Sequence, residues 1–167
     1  ASRFRGGEDR PATRALVGVW QGTRRSGVED RGYTLVESYR DGWVWSIPVD
    51  HEHRYFTAMV DPELTPLDDA SGLEGAYIRE LRKAKFTAEL LQGGELVGRV
   101  SAWGATPYQT TRFCGPGFLL VGDAAAFIDP LSSYGVKRAL ASGWLASVVA
   151  HTAITDFGRE AIALRFF

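Results

Sequence analysis

Residues 13–20 form an apolar run, with Ala15, Leu16, Val17, Val19 and Trp20, compatible with a strand. Polar residues 21–32, punctuated by Gly22, Gly27 and Gly32, read as a loop. Two β-rich runs, 33–39 and 43–49, flank Arg40-Asp41-Gly42, and Asp-Gly between such runs predicts a hairpin. A third run, 54–60, is reached through the polar turn Asp50-His51-Glu52-His53, so the three form an antiparallel meander that Asp61-Pro62 ends. The period then changes. Tyr77, Ile78 and Leu81 recur at helical spacing, the pattern runs on to Leu90 and Leu91, and Gly93-Gly94 stops it. Residues 96–103 suggest a further strand. After the turn Cys114-Gly115-Pro116-Gly117, the run 118–121 lacks alternation, as a strand buried on both faces would. A last, long helix is expected from about Ser133–Gly135 to Ile154.

Composition narrows the function classes. At 167 residues the chain is one domain or part of one, and 45% apolar with 23% charged residues is globular composition. Nineteen basic against twenty acidic residues, net charge -1, argue against a partner held by a basic field, so no nucleic acid is expected. The single cysteine, Cys114, excludes an intrachain disulfide framework and a cysteine zinc site, and three histidines do not supply a metal centre. His51 and His53 read as part of a solvated turn. Residues 139–155 carry no charge, but the stretch is short of a bilayer span and includes Ser142, Gly143, Ser147 and His151; a buried amphipathic helix is expected, and no membrane span. Ser2-Arg3-Phe4-Arg5 followed by Gly-Gly-Glu-Asp lacks the apolar core of a secretory signal, which predicts a cytoplasmic protein. Glu63 and Asp68-Asp69 are expected near a helix N-terminus. Ser132 and Ser133 lack the setting of a nucleophile elbow.

Residues 115–147 hold the most chemistry. A strand ends in Gly122-Asp123, Asp129-Pro130 turns the chain, and a helix is entered through Ser132-Ser133-Tyr134-Gly135. Gly122 allows close backbone approach, Asp123 can accept hydrogen bonds from sugar-like hydroxyls, and the free N–H groups from Ser133 to Val136 make an electropositive helix start. Ala139, Gly143 and Ser147 give that helix a small-residue face, and Lys137 is expected in solvent. Elsewhere, strand geometry puts Trp43, Trp45 and Ile47 on one face, which suits either a sheet core or a binding wall.

The segment GPGFLLVGDAAAFIDPLSSYGVKRALASG resembles the C-terminal FAD-binding segment of flavoprotein monooxygenases and flavin-dependent halogenases. The resemblance implies FAD as cofactor, with Gly122 and Asp123 at its ribityl chain and Pro130, Ser133, Tyr134, Gly135 and Val136 at the pyrimidine edge. Trp43-Val44-Trp45-Ser46-Ile47-Pro48 matches the halogenase pattern WxWxIP, which implies a substrate wall of Trp43, Trp45, Ile47 and Pro48. It further implies halide held by the backbone N–H groups of Tyr134 and Gly135, a small-molecule or carrier-bound aromatic substrate, and a separate flavin reductase. The implied fold is α+β, part of an α/β flavoprotein: a loop from the FAD domain (1–12, where Ala1-Ser2-Arg3 resembles a family loop), a substrate-region antiparallel β-sheet with a helix (13–112), and a C-terminal FAD-binding segment with the last strand and long helix (113–167). Three departures stand out. No G-x-G-x-x-G is present, the family's hypohalous-acid lysine has no counterpart, and Ser132 stands where free-tryptophan halogenases carry Glu. The expected reaction is halogenation of an electron-rich substrate using oxygen and reduced FAD. The alternatives are an FAD-dependent monooxygenase or dehydrogenase, a protein-modifying flavoprotein, and a truncated non-catalytic β-sheet binding domain.

Overall fold

The computed structural model describes residues 5–6, 12–23, 33–67 and 70–167. In chain order they form β1 (Arg5–Gly6), β2 (Arg14–Gln21), β3 (Leu35–Tyr39), β4 (Gly42–Pro48), β5 (His53–Val60), α1 (Gly72–Lys83), α2 (Lys85–Leu90), β6 (Glu95–Gly104), β7 (Tyr108–Thr110), β8 (Cys114–Gly115), β9 (Phe118–Leu119), β10 (Ala126–Phe127), α3 (Gly135–Thr155) and α4 (Glu160–Phe166). They divide into two compact units, Pro11–Ala105 and Ala1–Arg10 with Thr106–Phe167. The α+β expectation holds.

In the first unit the predicted meander closes into an antiparallel sheet of order β3-β4-β5-β2-β6. Alternation decides which side is covered. Leu16, Trp20, Val44, Phe56, Ala58 and Val60 join Tyr77 and Leu81 of α1 in the core. Tyr77 is fully buried; its phenol accepts from Trp20 Nε1 at 3.1 Å and donates to the Phe56 carbonyl at 3.0 Å. Burial raises its pKa above the ordinary tyrosine value. Gly18 makes room for this ring, since a Cβ there would lie 2.8 Å from the Tyr77 oxygen, and the β2–β6 register shifts between Val17 and Val19.

The single helical pattern expected up to Leu91 is two helices. Ala84, buried, takes an extended ψ of 115° between them. The Glu37 carboxylate on β3 accepts from the backbone N–H groups of Phe86 (2.9 Å) and Thr87 (2.8 Å) and from the Thr87 hydroxyl (3.0 Å), so a side chain distant in sequence starts the second helix. A second tie joins β3 to α1: Tyr39 Oη donates to buried Glu80 at 2.9 Å, and Lys83 pairs with the same carboxylate at 2.9 Å. Burial, and next the Glu80 charge, push the Tyr39 phenol pKa upward. Glu63 does not sit at a helix start. It lies in the turn capped by the Asp61 carboxylate, which accepts from its N–H at 2.9 Å, and the first helix begins at Gly72. Asp68 and Asp69 lie outside the described residues, as do Ala1, Ser2 and Arg3.

In the second unit β7 pairs with β1 and β10, and β8 pairs with β9. Arg5–Gly6 is thus a strand where a loop was expected. The run 118–121 is not a strand buried on both faces: only Phe118–Leu119 is extended in a ladder, with one antiparallel partner, and Val121 is exposed. An apolar run reports no partner by itself, and among the described residues its other edge has none. α3 is likewise not a buried helix. Val149 alone is buried on it, while Val136, Leu140, Trp144 and Val148 are exposed. Nor do Ala139, Gly143 and Ser147 form a packed face, because Gly143 has open space where a Cβ would stand and Ser147 is exposed. Cys114 is a half-buried free thiol whose Sγ donates to the Leu164 carbonyl at 3.1 Å.

Candidate functional site

After extended Val121, the chain makes a tight turn over Gly122–Ala124. Gly122 has φ +55°, and a Cβ on it would stand 3.3 Å from Ala139 Cβ on α3, so both conformation and space favour glycine. Its N–H donates to Ser142 Oγ at 2.9 Å, and that hydroxyl donates in turn to the Arg138 carbonyl at 2.7 Å. The turn therefore hangs on the first turns of α3. Asp123 follows with its side chain in solvent, and its carboxylate has no hydrogen-bond partner among the described residues. The Asp123 carbonyl accepts from the Tyr108 phenol, whose ring stacks on Phe127 at 6.1 Å. Ser142 and Tyr108 are supports that motif reading missed. Nothing in their own sequence neighbourhoods marks them.

The helix entry is built by Asp129, whose carboxylate accepts from Leu131 N–H at 2.9 Å as Pro130 starts a short turn. Ser133 then takes a left-handed conformation, φ 54°, uncommon for a residue with a side chain. Of the two amides expected to hold halide, that of Tyr134 donates to Ser132 Oγ at 3.3 Å. Among the described residues Gly135 N–H has no partner, and neither do those of Val136 and Lys137; the first helical bond is from Arg138 N–H to the Tyr134 carbonyl at 3.0 Å. No side chain caps α3, and Lys137 lies over the Tyr134 ring at 4.7 Å while exposed to solvent.

These residues fit part of FAD. An unpaired carboxylate suits the hydroxyls of the ribityl chain, and three uncapped N–H groups at a positive helix end suit an electron-rich ring edge. The cavity beside the turn, lined by Gly122, Ala125, Arg138 and Ser142 among others, is about 120 Å³. Sites for drug-sized ligands run from roughly 300 Å³ upward, so it does not hold a flavin by itself.

The tryptophan strand is laid out as its alternation predicts. Val44 and Ser46 are buried in the core, while Trp43, Trp45 and Ile47 share the opposite face, the two indoles 5.7 Å apart and tilted at 47°. Register extends that face sideways in three rows: Ser38–Trp43–Met59–Ala15, Val36–Trp45–Thr57–Val17 and Ile47–Tyr55–Val19. Pro48 ends the strand, half-buried.

The remaining candidates are structural. The Asp50 carboxylate accepts from the Glu52 and His53 N–H groups, each at 2.8 Å, and pairs with His53 Nδ1 at 2.9 Å. Those backbone bonds lower its pKa to about 2. Among the described residues no group of three His, Cys, Asp or Glu could hold a metal, and no helix is long and apolar enough to cross a membrane.

Comparison with known proteins adds a family model, described as tryptophan halogenase, that matches residues 11–163. A tryptophan 2-halogenase from Chondromyces crocatus is 32% identical over 155 residues, covering 92% of this chain and 30% of the relative. Among solved structures, the flavin-dependent halogenase CmlS superposes with a TM-score of 0.84 at 25% identity, over 97% of this chain and 30% of that one. The myxobacterial chondrochloren halogenase CndH, a variant of FAD-dependent halogenases, does so at 0.80 and 28%, over 92% of this chain and 36% of that one. The chain thus spans about 30% of the length of the first curated relative.

Proposed function

The chain belongs to the tryptophan halogenase family, and on that premise we propose that it serves FAD-dependent halogenation of an electron-rich aromatic substrate. The observation that carries the reading is the family match over 11–163, which takes in both the Trp43–Pro48 strand and the Gly122–Val136 site. When bound and reduced, FAD supplies the oxygen activation through which halide becomes an electrophilic halogen. This chain's own residues bind and orient. Asp123 accepts hydrogen bonds from the ribityl hydroxyls, and Gly122 admits the cofactor close to the backbone. Pro130 and the left-handed Ser133 set the direction in which α3 begins, and its open amides, Gly135 first and Val136 next, favour an anion there; Tyr134 N–H joins them on leaving Ser132. Trp43, Trp45, Ile47 and Pro48 form an apolar wall that keeps water from the aromatic substrate, small-molecule or carrier-bound. In this reading the protein is cytoplasmic and draws reduced flavin from a separate reductase.

The test uses the FAD-loaded protein supplied with a flavin reductase and bromide. Brominated product that disappears when bromide is omitted is the expected result, and oxygenated product independent of halide would replace the proposal with a monooxygenase. Asp123→Ala should weaken FAD retention on dialysis about 10- to 100-fold, as losing one hydrogen bond to a charged acceptor does. Because that carboxylate is exposed and unpaired, the thermal midpoint of the flavin-free protein should not move. Unchanged occupancy would remove Asp123 from the site.

A further inference from the structure

At one border of the tryptophan face the Asp50 turn presents an imidazole. His53 opens β5, and strand alternation puts it on the face of Tyr55, Thr57 and Met59, which pair across with Ile47, Trp45 and Trp43. Gln21 is its partner on β2, and on the β4 side Val49 N–H donates to its carbonyl at 2.9 Å. Tyr55, in the row of Ile47, is one same-face step away, about 6.8 Å along the strand. Nδ1 of His53 meets the two carboxylate oxygens of Asp50 at 3.0 and 2.9 Å. Among the described residues Nε2 has no partner, and the side chain is 31% exposed, so a solute can reach it. Asp50 is itself fixed, accepting from the Glu52 and His53 N–H groups at 2.8 Å each.

An ionised carboxylate only accepts, so Nδ1 carries the ring proton and Nε2 keeps a lone pair. The same carboxylate favours the imidazolium that forms when Nε2 takes a proton. Resting on the reading of the Trp43–Pro48 strand as a substrate wall, we infer that His53 Nε2 accepts the O–H proton of a phenolic substrate lying on Ile47 and Tyr55. Asp50 is the positioning residue. The proton passes to Nε2 and its bonding pair stays on oxygen, which enriches the ring. A ring carbon then takes the halogen from hypohalous acid: the carbon–halogen bond forms as the oxygen–halogen bond breaks. Hydroxide leaves and collects the proton from His53 as water, and the ring C–H proton returns to the phenol oxygen. Other ionisable groups around His53 are His51 and Glu52 in its turn, Tyr55 on its strand and Glu95 on β6, opposite Gln21. Glu52 accepts from Gln21 Nε2 at 3.3 Å.

The experiment titrates the full chain into 4-nitrophenol, whose phenol and phenolate forms absorb at different wavelengths, at a fixed pH below its midpoint in buffer. The phenolate-to-phenol ratio of bound probe should exceed that of free probe about tenfold, as a neighbouring positive charge favours the anion. His53→Gln should remove the excess and His51→Gln should keep it. Asp50→Asn, whose amide oxygen still accepts the two N–H bonds, should reduce it several-fold. No binding, a ratio equal to that in buffer, an excess that survives His53→Gln, or one lost with His51→Gln each overturns the inference. So does an excess that leaves the Trp45 indole N–H resonance unmoved, since the probe is then not on the wall. Turnover gives a second reading, with FAD-loaded protein, a flavin reductase and bromide acting on 4-methylphenol and its methyl ether. His53→Gln should lower the phenol-to-ether ratio of kcat about 100-fold. Equal loss on both substrates marks a structural role and overturns the inference while leaving halogenation intact. Absence of brominated product from the unaltered protein sinks the halogenation reading instead, and the 4-nitrophenol ratio then decides the role of His53.

Discussion

Gly18 and Tyr77 explain each other. A tyrosine in a core needs its hydroxyl satisfied, and here the oxygen is held between the Trp20 indole and the Phe56 carbonyl, so the ring cannot retreat. Gly18→Ala would put a methyl group 2.8 Å from that oxygen. We expect it to lower stability by about 1–3 kcal/mol, measured as a shift in the urea midpoint at constant slope. Gly18→Ala should cost less in a Tyr77→Phe background than in the unaltered protein, because the oxygen it meets is gone; equal costs would mean that the clash lies elsewhere. Asp50 is a different kind of residue, exposed and held by backbone N–H groups. Its pKa in the fold, about 2, lies below the ordinary aspartate value, so its contribution is complete above roughly pH 4 and is lost as pH falls through about 2. Protection of the Glu52 and His53 amides, taken relative to their intrinsic exchange rates, should fall over that window and not between pH 5 and 8. A change centred near the histidine range would assign the turn to His53 instead.

At the level of elements, what could be read from sequence was whatever local pattern controls. The strands β2 to β5 followed from an apolar run, β-rich runs and the Asp-Gly turn, because residue preference and turn chemistry are properties of adjacent residues. The Gly122-Asp123 turn and the start of α3 were legible for the same reason. The break at Ala84 was not, since the carboxylate that caps α2 comes from Glu37, with its sequence neighbours giving no sign of the role. Glu37→Ala should cost about 1–2 kcal/mol and leave α1 in place, with faster amide exchange confined to Phe86 and Thr87. Exchange spreading into α1 would show that the two helices form one cooperative unit. The run 118–121 was misread because a bare apolar string carries no information about partners. Ser142 escaped notice because its role depends on Gly122 meeting α3, a tertiary event.

On the scale of the molecule, the apolar surface of α3 has the character of an interior. Val136, Leu140, Trp144 and Val148 are spaced by four, so successive residues advance about 40° and the stripe spans roughly 120° of the helix. That is the width a core-facing helix presents, yet these side chains are 75%, 70%, 70% and 43% exposed. A chain that spans 30% of a relative's length can leave such a surface for other polypeptide to cover. Water is a poor cover for it, and contiguous exposed apolar area of this kind drives association. The 167-residue chain by itself should therefore self-associate as its concentration rises through the micromolar range, read by sedimentation equilibrium. Leu140→Lys with Trp144→Lys should return it towards the monomer with little change in the thermal midpoint, because both residues are 70% exposed. If the unaltered chain stays monomeric across that range, the stripe is surface; if the double variant melts earlier, those side chains pack within the fold.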